Sequence, residues 1–215
     1  MSLLEAITAG DTAAALAQLE AHPDQAAAAD DDGVSALLRA RYRGLDEVVR
    51  AIRDLRPLDL AEAAAAGDVR RVGELLTAGV DPDQRSADGF SPLQLALFFD
   101  APAAAALLLR AGADVATAAT HPMQVAAIHA AAASPTGAGV VLAVAVGADV
   151  NAVQQGGFTP LHEAAHRGDA AMAELLLAAG ADPGRRDDQG RSAADLAEEG
   201  DHPELARRLR DPDVP

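Results

Sequence analysis

Gly157-Phe158-Thr159-Pro160-Leu161-His162-Glu163-Ala164-Ala165-His166-Arg167-Gly168-Asp169, followed by Leu175-Leu176-Leu177 and Gly180-Ala181-Asp182, decides the fold. Thr159 stands where an N-cap hydroxyl accepts from free helix amides, and Pro160 takes the first helical position, where a missing N–H costs nothing. Gly168-Asp169 breaks this helix, and Gly180 offers a second helix its left-handed exit. The stretch predicts two short helices joined by a turn, a unit too small to bury its own apolar face.

The same unit recurs along the chain. Gly79, Gly112, Gly147 and Gly180 each close a run of Leu, Val and Ala, at spacings of 33, 35 and 33, inside the phrases Ala-Gly-Val-Asp, Ala-Gly-Ala-Asp and Val-Gly-Ala-Asp. Twenty positions before each glycine a first helix opens, at Asp59, Pro92, Ala127 and Pro160, and eight positions later the turn falls at Gly67, Asp100, Pro135 and Gly168. The same ruler reaches Gly10 and Gly44 upstream and Asp201 beside Gly200 downstream. Seven helix pairs follow, opening near Ser2, Ala36, Asp59, Pro92, Ala127, Pro160 and Ala193. A period of this length is the mark of a solenoid, in which each repeat buries its apolar face only by stacking on the next.

The unit at Gly157 and the one at Asp88-Gly89-Phe90-Ser91-Pro92-Leu93 resemble the ankyrin repeat, with its Thr-Pro-Leu-His-x-Ala-Ala start and its Leu-Leu-Leu-x-x-Gly-Ala-Asp finish. The resemblance spans nearly the whole chain. It implies an all-α ankyrin-repeat solenoid of about seven helix-turn-helix units with short β-hairpin fingers, and a role in binding proteins. Residues 1–215 read as one domain, with a capping repeat at 1–31, repeats at 32–56, 57–87, 88–120, 121–155 and 156–187, and a C-terminal cap at 188–215. Two places depart from the pattern. The openings Ala36 and Asp59 are only 23 apart, so a hairpin is missing and the chain is expected to run from helix through Arg56-Pro57 directly into helix. The fifth unit lacks Thr-Pro, turns at Ser134-Pro135-Thr136, and has a hairpin segment, 115–125, longer by two.

Composition removes several function classes. There are 33 acidic residues against 17 basic ones, for a formal charge of −16, which argues against nucleic acid as a partner. Every basic residue is Arg, so the lysine of a phosphate loop or a Schiff base is missing, and no cysteine is present for a thiolate metal site or nucleophile. The longest purely apolar stretch, 140–146, is far short of the roughly 20 residues that cross a bilayer. No membrane association and no cofactor are expected. The N-terminus has neither a basic segment nor a long apolar core, which points to the cytoplasm. Abundant Ala without Lys is what a GC-rich, bacterial coding sequence produces.

His162-Glu163-Ala164-Ala165-His166 matches the His-Glu-x-x-His pattern of zinc hydrolases. Against that reading, no third ligand follows, and the repeat resemblance implies that His162 bonds within the scaffold. Asp30-Asp31-Asp32-Gly33 lacks the alternating ligands and terminal Glu of a calcium loop and reads as a solvated hairpin tip. An enzyme is not expected.

In a solenoid the first helices and the hairpin tips line the concave side. By register the inward positions include Arg39, Tyr42 and Arg43; Leu95, Phe98 and Phe99; Ala130 and Ala133; and Glu163, His166 and Arg167; Phe90 and Phe158 lie at the hairpin ends. All five aromatic residues, Tyr42, Phe90, Phe98, Phe99 and Phe158, should then face one surface, although Phe90 and Phe158 could serve only to cover a hairpin. Clustered exposed rings beside arginine mark interfaces. The expected partner is a protein, basic or with an exposed apolar segment, and Phe99→Ala or Tyr42→Ala should abolish its capture with little change in melting temperature. The monomer is expected to be free or weakly dimeric; the rival reading is a self-associating structural protein whose rings mediate a homodimer.

Overall fold

Helices of two turns need fixed ends before packing can hold them, and this chain supplies a cap at nearly every first helix. The computed structural model describes residues 1–211, and the described residues form fourteen α-helices in seven pairs. The pairs are α1 (Leu3–Ala9) with α2 (Thr12–Ala21), α3 (Ala36–Tyr42) with α4 (Asp46–Leu55), α5 (Leu60–Ala65) with α6 (Val69–Thr77), and α7 (Pro92–Phe98) with α8 (Pro102–Arg110). They continue as α9 (Ala127–Ala133) with α10 (Ala138–Ala145), α11 (Pro160–His166) with α12 (Ala170–Ala178), and α13 (Ala193–Glu199) with α14 (Pro203–Arg210). Ser2, Ser35, Asp59, Ser91, Thr159 and Ser192 each accept from the backbone N–H three residues on, an arrangement worth about 1 kcal/mol per helix.

The first helices form one continuous row in which α1, α3, α5, α7, α9, α11 and α13 each pack on the next. Alanines such as Ala63, Ala64, Ala164 and Ala165 are fully buried in that row and let backbones approach closely. Leu93, Leu97, Ile128 and Leu161 fill the layers between repeats, within a buried cluster that runs from Leu3 to Leu209. The glycines that end the second helices, Gly79, Gly112, Gly147 and Gly180, have φ of 84°, 93°, 96° and 95°, the left-handed exit expected of them.

Between helix pairs the chain makes tight hairpins, each with a backbone bond to the carbonyl four residues on: Asp30 N–H to Val34 O, Ser86 to Phe90, Gln154 to Phe158 and Asp187 to Arg191, at 2.9–3.0 Å. The corresponding bond of the fifth repeat runs from Ala119 N–H to Val125 O, so its loop is longer by the two residues counted in the sequence. Neighbouring hairpins touch through Gly89, whose carbonyl accepts from Thr120 N–H at 3.1 Å. A Cβ on Gly89 would lie 2.9 Å from His121 N, and its φ of 85° already favours glycine.

Both irregular places differ from expectation in detail. The fourth helix does not continue through Arg56-Pro57. It stops at Leu55, and Arg56 is extended (φ −151°, ψ 155°), the conformation a following proline imposes. In place of the missing hairpin, the Arg56 guanidinium donates to Ala26 O at 2.7 Å and to the Glu62 carboxylate at 2.8 Å, tying three repeats together. Glu62 is only 2% exposed. In the fifth repeat the turn is not centred on Pro135: Ser134 is extended and the left-handed residue is Gly137, at φ 69°. Asp100 anchors the longer path by accepting from Ser134 Oγ at 3.1 Å and Thr136 Oγ1 at 2.6 Å.

Candidate docking groove

The residue three places into each first helix decides how one repeat grips the next. In α11, His162 Nδ1 accepts from Thr159 N–H at 3.2 Å, which leaves Nε2–H to donate to Arg191 O at 3.2 Å in the following hairpin. His129 does the same between Ala126 N–H (3.3 Å) and Phe158 O (3.2 Å). Gln94 fills the position in α7, accepting from Ser91 N–H and donating to Thr117 O and to Val125 O. Burial holds the pKa of both imidazoles below the usual histidine value, so they stay neutral in this role. With both ring nitrogens of His162 engaged, the first histidine of the His-Glu-x-x-His match has no lone pair to offer a metal. The described residues also contain no group of three or more His, Asp or Glu able to hold one.

The concave side carries a groove of about 340 Å³ over the fourth to sixth repeats. Its depth comes from the fifth repeat, where the inward residues Ala130 and Ala133 are too small to fill the space between α7 and α11. Phe98 and Leu95 bound it on one side and Glu163 on the other, with Phe90, Met123 and Val125 over it from the loops and Tyr42 at its end. Phe98 is 42% exposed, Met123 45% and Tyr42 37%, large apolar area left on a face that stacking does not use.

The predicted contact residues divide. Tyr42, Phe90, Leu95, Phe98 and Glu163 line the groove. Leu95 does so from below: at 1% exposure it is a floor residue held by its neighbours, not a projecting side chain. Phe99 does not share the surface of Phe98. At the end of a helix consecutive side chains diverge, and Phe99 turns towards Arg41, whose guanidinium lies 4.8 Å from its ring centre, and towards Ala66 and Pro102. It still touches the cluster from behind, with Tyr42 and Phe98 at 5.4 Å and 5.0 Å between ring centres. The expectation that Phe99→Ala leaves stability unchanged is therefore replaced by one of lost packing. Phe158 lies outside the groove, half-buried against His162 and the Arg191 guanidinium.

The predicted arginines lie outside the groove lining and are engaged within the chain. Arg39 is paired with Asp30, Arg43 donates to Thr8 O, and Arg167 donates to Ala132 O at 2.7 Å and lies 3.9 Å from Asp169. His166 is exposed beside the groove and does not line it. Tyr42 donates its hydroxyl to Asp88 at 2.7 Å, and burial together with that carboxylate raises its pKa far above the ordinary tyrosine value. Asp30, read as a solvated tip, caps its own hairpin by accepting from Asp32 N–H and Val34 N–H. Met123, Val125 and Gln154 also line the groove, at positions outside the first-helix register. The two-residue lengthening of the loop before α9 is the sequence signal that points to Met123.

The family pattern described as ankyrin repeats (many copies) matches residues 144–197. The chain is 33% identical over 153 residues to cyclin-dependent kinase 4 inhibitor B of Bos taurus, an alignment covering 71% of this chain and 89% of that protein. It is 51% identical over 53 residues to the ARF GTPase-activating protein GIT2 of Homo sapiens, covering 25% of this chain and 7% of that one. A third relative is the ankyrin repeat and LEM domain-containing protein 1 homolog of Caenorhabditis elegans, 51% identical over 51 residues, 24% of this chain and 7% of the other. No helix of the described residues is long and apolar enough to cross a membrane.

Proposed function

The chain belongs to the ankyrin repeat family, and from that premise we propose that it is a non-enzymatic adaptor or regulator that docks a partner protein in the groove of its concave face. One observation carries this reading: Tyr42, Phe98 and Met123 leave large apolar surface exposed around a cleft built by the small side chains of the fifth repeat. Exposed apolar clusters of this kind are costly to keep unless something covers them. The Bos taurus relative is named as an inhibitor of a kinase, an activity exerted on another protein, which supports the same class of function here. The GIT2 match spans the repeat segment alone and gives no support for GTPase activation by this chain.

The test is retention of proteins from native lysate by the immobilised wild-type chain and by Phe98→Ala/Met123→Ala. A partner held in stoichiometric amount by the wild type and lost from the variant, at unchanged melting temperature, supports the reading. Equal retention by both contradicts it. Sedimentation over a dilution series separates this from self-association, which would show a mass that falls on dilution and no longer does so in the variant.

A further inference from the structure

The groove has a chemical bias that narrows its occupant. Its hydrogen-bonding groups are mostly spent within the chain: Gln94 is saturated by Ser91, Thr117 and Val125, and His129 by Ala126 and Phe158. Tyr42 donates its hydroxyl hydrogen bond to Asp88, whose other oxygen accepts from the Ser86 hydroxyl. Two polar side chains of the lining remain uncommitted among the described residues, the Gln154 amide and the Glu163 carboxylate. Glu163 has no cation to itself, because the adjacent Arg167 is drawn to Ala132 O, Ala133 O and Asp169. On the other flank, Arg39 and Arg43 are bound to Asp30 and to Thr8 O. Residues 86–215, which supply nearly all of the groove, carry a net charge of −9.

Resting on the docking reading above, we propose that the occupant is an extended peptide segment of a partner protein, carrying one bulky apolar side chain with an Arg or Lys close to it. The apolar side chain fills the space over Ala130 and Ala133 between Phe98 and Met123, the cation pairs with Glu163, and the Gln154 amide, donor and acceptor at once, bonds the peptide backbone. At about 340 Å³ the cleft is at the small end of ligand pockets, roughly 300–1,000 Å³, a size for a single large side chain and not for a large cofactor. Charge complementarity favours a basic segment over an acidic one, and the pairing should weaken with salt.

The experiment uses the full chain against a displayed library of random peptides, followed by fluorescence anisotropy on synthetic members in which the flanking residue is Arg, Gln or Glu. Enrichment of a bulky apolar residue next to Arg or Lys is expected, with Arg peptides binding roughly five- to tenfold tighter than their Glu counterparts. Glu163→Gln should remove that preference and Glu163→Arg reverse it. Phe98→Ala should weaken every groove peptide about tenfold or more. Binding that is lost in Phe98→Ala but indifferent to flanking charge overturns the basic-segment proposal and leaves the docking groove standing. Binding indifferent to Phe98→Ala overturns both. A library that yields no binder, or a groove occupied by a second copy of the chain, also overturns the proposal.

Discussion

Replacing Arg56 by Ala should destabilise the protein far more than its position in a short linker suggests. The substitution leaves the Glu62 carboxylate, 2% exposed, without the guanidinium at 2.8 Å, and leaves Ala26 O without its donor. Removing one partner of a buried ion pair costs about 3–5 kcal/mol. Arg56 keeps 21% of its side chain exposed, so water can partly replace it and the low end, about 3 kcal/mol, applies. For a chain of this size that corresponds to a fall in melting temperature of about 6–12 °C. The cost depends on pH with a definite sign. Burial would raise the Glu62 pKa, but the Arg56 bonds and the Ser35 hydroxyl outweigh it and hold the value below that of an unfolded glutamate. The stabilisation is therefore complete above the unfolded pKa of 4.5 and is lost as pH falls through the lower folded value. Thermal melts followed by circular dichroism at pH 7 and at about pH 3.5 should show a wide gap between wild type and Arg56→Ala at the first and a narrow one at the second. Arg56→Ala/Glu62→Gln should recover part of the loss, because a neutral amide is less costly to bury than an unpaired carboxylate. A fall under about 2 °C at pH 7, or a gap of the same size at both pH values, would refute the view that this pair stands in for the missing hairpin.

Two other outcomes follow from burial. His129 and His162 have pKa values lowered from 6.5 by burial, so the unfolded chain takes up protons first. Stability is then complete above about pH 6.5 and declines as pH falls towards the folded values; melting temperature from pH 7.5 to 5 should fall less steeply in His162→Gln, and an identical slope would contradict this. Leu176→Ala, at a fully buried site, should cost about 2–5 kcal/mol in urea denaturation, whereas Phe98→Ala, 42% exposed in the wild type, should leave the midpoint nearly unchanged.

Local signals carried the fold. The N-cap hydroxyls, the prolines at first helical positions and the left-handed glycines act within a few residues of themselves, so their meaning survives without tertiary information. The site was legible only by register. Tyr42, Phe90, Leu95, Phe98 and Glu163 line the groove as counted, but the count could not separate Leu95, at its floor, from Phe98, at its rim. Register puts Phe99 on the face of Phe98, but it falls at the helix end, where direction depends on the Arg41 contact made by a repeat two units away. Register also places Arg39, Arg43 and Arg167 on the inward face, yet they bind groups up to 35 residues distant in sequence, which no spacing rule reveals. The fifth repeat stood out as the irregular unit, and its small inward alanines and longer loop are what create the groove.

In the proposed function, the empty space over the fifth repeat receives the partner. Ala133→Phe fills that space from within, at a half-exposed position that leaves the stacking layers untouched. Retention of the stoichiometric partner by this variant, measured beside the wild type and with melting temperature as control, is the direct test. Loss of the partner at an unchanged melting temperature is expected; full retention with the groove filled would overturn the docking proposal.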